Sequence, residues 1–317
     1  MTARIDGVVE DVPEDARPVD LSVRLGDLPL ANPVMPASGC FGPELADLLP
    51  VHRLGAVVTK TVFAQARPGN PAHRLAESAQ GMLNSVGIPS PGTAAFVRSG
   101  LPAYQRLGVP VVVSVGGLSE REYWQVAEAL IGCPHAALEV NVSCPNLERG
   151  GQTLGSDPRA LHRVVAGVVV RSAVPVLVKL GPDLTAIDTA ARAAEDAGAT
   201  AVTVCNSFPA LAVDPGSRRA KLGHGTGGLS GPAIKPLVLR MVWQVAQAVR
   251  IPVIGCGGIG TAQDVAEYLV AGATAVQVGT ATFARPFVMT EILRELPALA
   301  AELGATRLSD LVGTSSF

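Results

Sequence analysis

Aromatic side chains and charge are both scarce in this chain. Phe, Trp and Tyr make up 4% of its 317 residues, and Asp, Glu, Lys and Arg only 16%, against a hydrophobic share of 48%. So much apolar content with so little charge excludes disorder over most of the length and implies a sizeable buried core. The formal net charge is −2, and there is no basic cluster of the kind that tracks a phosphate backbone, which excludes nucleic acid as a partner. No apolar run reaches the roughly 18 residues of a membrane span. The nearest, "VVAGVVVRSAVPVLVKLG", is interrupted by Arg171, Pro175 and Lys179. The first 20 residues, "MTARIDGVVEDVPEDARPVD", lack the basic start and apolar stretch of a signal peptide. They read as an acidic flexible tail, with 21–317 as one domain and the cytoplasm as its compartment. The five cysteines (Cys40, Cys133, Cys144, Cys205, Cys256) contain no C-x-x-C pair. A disulfide framework, a zinc site or an iron–sulfur site within the chain is therefore not expected, and no metal is.

What is present is a long alternation. After "LSVRLGDLPLANPV", which reads as a hairpin turning at Gly26-Asp27, short β-branched runs alternate with Ala-rich amphipathic segments. The runs lie at 32–38, 56–61, 110–115, 136–142, 175–180, 201–206, 252–257 and 275–280. Helical patterns such as "SEREYWQVAEALI", "DPRALHRVVAGVVV" and "TAQDVAEYLVAG" separate them. Eight strands with intervening helices, in a chain of this length, predict an α/β fold of the (β/α)8 TIM-barrel type. An open doubly wound sheet is disfavoured, because no G-x-G-x-x-G opens a helix after the first strand. The Gly/Pro-rich insertions at 62–95 and 207–231 are too long for ordinary connections and are expected to be active-site loops.

In such barrels the chemistry sits at the C-terminal strand ends. Those ends carry Ala37-Ser38-Gly39, Lys60-Thr61, Asn141, Lys179, Asn206-Ser207, Gly257-Gly258 and Gly279-Thr280. Any one of these is an ordinary strand-end residue, but two lysines and two asparagines at one mouth imply a polar or anionic ligand. The glycines of "GCGGIGTAQD" and the Gly-Thr of "VQVGTATF", with a helix starting near Thr261, suit a phosphate. The pattern leaves flavin mononucleotide, a sugar phosphate and pyridoxal phosphate open. In "EVNVSCPNLERGGQ", Cys144 stands at the lip of a strand before a proline and two glycines.

Taken together, "MLNSVGIPSPG", "NVSCPN" with "GGQTLGSDP", "HGTGGLSGPAIKP" and "GCGGI" resemble the dihydroorotate dehydrogenase family, from about residue 20 to 300. The likeness is greatest to its class I, NAD-linked catalytic subunits. It implies FMN as cofactor, a flavin-dependent oxidation of dihydroorotate to orotate in pyrimidine biosynthesis, and Cys144 as the catalytic base. Carried over, Ala37, Ser38, Gly39, Lys60 and Thr61 would contact flavin, with Lys60 also near substrate. Asn84, Ser85, Val86, Gly87 and Ile88 would wrap the substrate, Asn141 would touch both, and Asn206 and Ser207 the substrate's polar edge. Lys179 is assigned to the flavin N1–O2 edge, and Ser114, Cys205, Gly231, Gly257, Gly258, Gly279 and Thr280 complete the flavin site. The resemblance also implies a homodimer or heterotetramer. A chain without a cysteine cluster or a dinucleotide fingerprint needs a second subunit with FAD and an iron–sulfur cluster if NAD is the acceptor.

Four positions depart from the family pattern: Ser114 replaces the usual Asn, Pro43 enters a glycine-rich loop, Cys205 replaces an aliphatic residue, and Phe208 a smaller one. They keep a second reading in view, a relative acting on another cyclic ureide such as dihydrouracil or on a specialised metabolite. A non-catalytic flavin-binding or electron-carrying subunit is a third reading, which Cys144 argues against.

Overall fold

The computed structural model describes residues 19–143, 157–183 and 186–316. All eight expected runs form strands: Val34–Pro36, Val57–Val58, Val111–Val115, Ala137–Asn141, Val176–Lys179, Ala201–Val204, Val253–Gly255 and Ala275–Val278. They are parallel neighbours in chain order around one sheet, and the eighth pairs back onto the first, Val276 opposite Val34. Across the remaining seam Gly55 N–H donates to Val34 O. The result is a (β/α)8 barrel. Its strands are buried on both faces because one side meets the interior and the other the helices.

The helices follow from their caps and stripes. Ser119 caps Glu120–Ala129, Asp157 caps Pro158–Val169 with proline at its first position, and Thr261 caps Ala262–Val270 by accepting from Asp264 N–H. Pro158–Val169 buries Leu161, Val164, Val165 and Val168, an i, i+3, i+4, i+7 stripe facing the sheet. Among the described residues no helix is long and apolar enough to cross a membrane.

The hairpin Val23–Leu25 and Leu28–Leu30 closes the bottom of the barrel. Gly26 makes its turn at φ +59°. Val23, Leu25, Leu28 and Leu30 pack in one buried cluster with Met35, Val58, Val112, Ala137, Leu177, Ala201, Ile254 and Ala275, one residue from each barrel strand. These eight form the floor. Side chains alternate along a strand, so the next inward positions lie two residues on. They are Ala37, Lys60, Ser114, Glu139, Lys179, Thr203, Cys256 and Gln277. The interior thus turns from apolar to polar within one layer.

The two long insertions meet above the mouth. Leu75–Ser78 and Gly81–Asn84 form a hairpin, and Gly227–Ser230 pairs with Gly81–Asn84 on one side and Phe208–Ala210 on the other. This four-stranded antiparallel sheet joins segments about 150 residues apart in the chain. Pro43 begins a single 3-10 turn, Pro43–Leu45, after the first strand.

Candidate active site at the barrel mouth

One cavity of about 870 Å3 opens at the C-terminal ends of the strands, beneath the antiparallel sheet. Strand ends one and two bring Ala37, Ser38, Gly39, Lys60 and Thr61 to its wall, four to six bring Asn141, Lys179, Cys205, Asn206 and Ser207, and seven and eight bring Gly257, Gly258, Gly279 and Thr280. The insertions add Asn84, Val86, Gly87, Ile88 and Gly231. Ser85 and Ser114 do not line it. Ser85 is fully buried and accepts from Asn70 Nδ2 at 2.8 Å, so it braces its loop from behind. Ser114 is fully buried and shares a 2.9 Å hydrogen bond with Thr61 Oγ1. Phe208 also lies off the wall, packed against the core. Cys144 lies outside the described residues.

The amides are held in fixed orientations. Asn141 is 5% exposed, and its Nδ2 donates to Thr61 Oγ1 at 3.1 Å. Its Oδ1 accepts from Ser143 Oγ at 2.7 Å and from Ser143 N–H at 3.3 Å. Asn206 Nδ2 donates to the same Ser143 hydroxyl at 2.8 Å, while its Oδ1 accepts from Ser207 N–H. Ser143 therefore ties the asparagines of strands four and six together, and the donor or acceptor each presents is set by these bonds. Asn84 Nδ2 donates to Gly228 O across the antiparallel sheet.

The two lysines differ. Burial pushes Lys60 below its ordinary pKa of 10.5, with the nearby Cys40 sulfur opposing and Arg74 adding to the shift. Lys179 is 4% exposed and donates to Gln277 Oε1 at 3.0 Å and to Cys256 Sγ at 3.5 Å. Burial opposes its charge, but Cys256, Glu139 and Cys40 outweigh that and raise its pKa. Burial pushes the Cys40 thiol up to about 11 and raises Cys205 and Cys256 as well.

At the other end of the cavity, Gly257, Gly258 and Gly260 lead into the helix capped by Thr261. Gly258 has φ +70°, and a Cβ there would lie 2.7 Å from Lys235 Cβ and 3.1 Å from Gly231 O. Only glycine leaves that turn in place. Tyr268 OH fixes the Gly257 carbonyl at 2.6 Å. Lys235 pairs with Asp264 at 2.6 Å and Glu267 at 2.8 Å, and Arg285 donates to Gly260 O. Burial works against the Asp264 carboxylate, but the Lys235 ammonium and Gly260 N–H hold its pKa below the ordinary value. Tight glycine turns and a helix N-terminus make a cradle suited to a phosphate, beside Lys235 and Arg285, which are already paired with carboxylates.

Residues 20–300 match the sequence profile described as dihydroorotate dehydrogenase. The chain belongs to the dihydroorotate dehydrogenase family. It is 46% identical over 297 residues to a protein of Geotalea uraniireducens (strain Rf4), covering 93% of this chain and 97% of that one. It is 45% identical to proteins of Geobacillus kaustophilus (strain HTA426) and Pelobacter propionicus, again over 93% of this chain, with 95% and 98% of the relatives covered. Each of these relatives is named "Dihydroorotate dehydrogenase B (NAD(+)), catalytic subunit". Family membership agrees with the barrel and with a polar mouth at its C-terminal face.

Sequence reasoning assigned no role to Cys40, Ser143, Lys235, Asp264, Arg285 and Cys256 on or beside the cavity, nor to Glu139, Thr203 and Gln277 in the layer of Lys179. Period-two counting from the floor residues finds the last four. Lys235, Asp264 and Arg285 carry no such signal, because their meeting depends on where three separate segments come to rest.

Proposed function

We propose that this chain is the catalytic subunit of a two-component dihydroorotate dehydrogenase that binds flavin mononucleotide and oxidises dihydroorotate to orotate in pyrimidine biosynthesis. The observation that carries the reading is the gathering of Lys60, Lys179, Asn84, Asn141 and Asn206 around one cavity that ends in a glycine cradle. Residues 21–317 act as one flavin-binding barrel domain. Its volume lies within the range of cofactor and ligand sites. The residues fit the cofactor: the phosphate takes the Gly258 turn and the helix N-terminus, and the ring's N1–O2 edge takes the Lys179 ammonium.

Dihydroorotate loses a proton from C5 and a hydride from C6. Flavin mononucleotide, when bound, supplies the acceptor for that hydride. Cys144 takes the C5 proton, as the resemblance of "NVSCPN" implies. Lys60 meets the substrate carboxylate. Asn84, Asn141 and Asn206 match the cyclic ureide, since an amide offers both a donor and an acceptor. A partner subunit carrying FAD and an iron–sulfur cluster passes the electrons to NAD, in a heterotetramer built on a dimer of this chain. The cytoplasm is the compartment that this pairing suits.

The test is a purified chain under anaerobic conditions. Its flavin absorbance bleaches on adding dihydroorotate but not dihydrouracil, and the chain alone reduces artificial dyes but not NAD. Bleaching by dihydrouracil alone would refute the substrate assignment, and robust NAD reduction by the isolated chain would refute the two-component one.

A further inference from the structure

Beneath the cavity, Glu139 sits in the barrel interior with no exposure at all. Its Oε2 accepts from Thr203 Oγ1 at 3.1 Å and from Gln277 Nε2 at 2.5 Å, while its Oε1 has no partner. Two donors thus converge on one carboxyl oxygen, one for each of its lone pairs. An acidic group here, one layer below Asn141 and without solvent, costs several kcal/mol unless a positive charge answers it. Lys179 is that charge, reached through one amide. Gln277 gives its N–H to Glu139 and turns its Oε1 to Lys179 Nζ at 3.0 Å. Lys179 offers only donors and takes the Gln277 oxygen, while Glu139 takes the N–H at the other end of the same amide.

We propose that Glu139 is a positioning residue: through Gln277 it holds Lys179 in place under the flavin ring and answers its charge. The inference rests on the flavin reading above and goes beyond it, because it assigns a role to a residue that does not touch the cavity. The other titratable groups facing Lys179 from its neighbouring elements are Cys256, Cys40 and Cys205, and burial raises all three thiols. Of the groups that raise the Lys179 pKa, Glu139 is the carboxylate, and it is the one joined to the lysine through the Gln277 amide. The arrangement has a consequence for the flavin. Lys179 favours added negative charge on the ring, Glu139 opposes it from farther away, and the balance is independent of pH as long as the lysine cannot lose its proton.

The experiment is the midpoint potential of the bound flavin from about pH 6 to about pH 10, for wild type and Glu139→Gln, which keeps size and hydrogen-bonding shape. In wild type Lys179 stays charged throughout, so it adds no break to the curve. In Glu139→Gln one of the charges that hold the Lys179 pKa up is gone, and the proposal requires that pKa to fall into the range. At low pH, with the lysine still charged, the variant potential lies above wild type because a negative charge has gone. At higher pH reduction takes up one further proton at Lys179, the slope steepens, and the two curves cross. A role in packing alone would displace the curve in parallel, and a parallel or superimposed curve overturns the proposal. If Glu139→Gln does not fold, Glu139→Met carries the test, since it removes the same charge with an apolar side chain of similar volume; an unbroken curve there overturns it equally. A wild-type chain that binds no flavin sinks the functional reading itself, which separates the two failures.

Discussion

Replacing Gly258 by leucine tests the glycine cradle that we propose for the flavin phosphate. Gly258 sits at φ +70°, where a side chain costs about 1–2 kcal/mol in backbone strain alone. The added Cβ would stand 2.7 Å from Lys235 Cβ and 3.1 Å from Gly231 O. Lys235 cannot move freely, because it is pinned by Asp264 and Glu267. Overpacking of this kind costs roughly 1–3 kcal/mol. Together about 2–5 kcal/mol act against the turn that presents the backbone to the phosphate. If the chain relieves that strain by giving up the bound conformation, affinity for flavin mononucleotide falls roughly 30-fold to several thousandfold. The measurement is fluorescence titration of the flavin into apoprotein, with thermal unfolding recorded alongside. Gly304→Ala is the control. It lies at φ +77° with nothing within 4 Å of its added Cβ, so it loses about 1–2 kcal/mol of stability and leaves flavin binding unchanged. Wild-type flavin affinity in Gly258→Leu would refute this placement of the phosphate.

Two further outcomes are expected. Lys60 has its pKa lowered by burial and is charged only below that pKa, so affinity for orotate falls as pH rises through a value beneath 10.5. Lys60→Met binds orotate weakly and loses that limb, and equal limbs in both proteins would remove Lys60 from the substrate carboxylate. Cys144→Ala keeps flavin and orotate but slows flavin reduction by dihydroorotate about 100- to 10,000-fold, with Cys144→Ser impaired less. The wild-type rate rises with pH through an apparent pKa near or below that of a free thiol, about 8.5; stopped-flow rates for Cys144→Ala equal to wild type would make the cysteine inert.

Much of the site was legible because a barrel places function at strand ends, and strand ends can be counted. Lys60, Asn141, Lys179, Asn206 and Gly258 all lie at or just past the C-terminal end of a run, and all reach the same cavity. Ser114 shows the limit. It lies inside a run at an inward position, yet the hydroxyl of Thr61 stands between it and the cavity. Ser85 shows another, since its neighbours Asn84 and Val86 line the wall while its own side chain turns back to Asn70.

The sequence by itself determined the eight strands, the capped helices and the closing hairpin. These depend on periods of two and 3.6 residues, on Ser, Asp and Thr at helix starts, and on Gly26 at a tight turn, all within a few residues of chain. Tertiary structure alone decided what those elements bring together. The sheet over the mouth pairs Gly228 with Asn84, and the buried relay joins Glu139 to Gln277, 138 positions later in the chain. No local pattern encodes such pairs. They exist because closing the eighth strand against the first encloses an interior in which polar groups take their partners from distant strands rather than from bulk water.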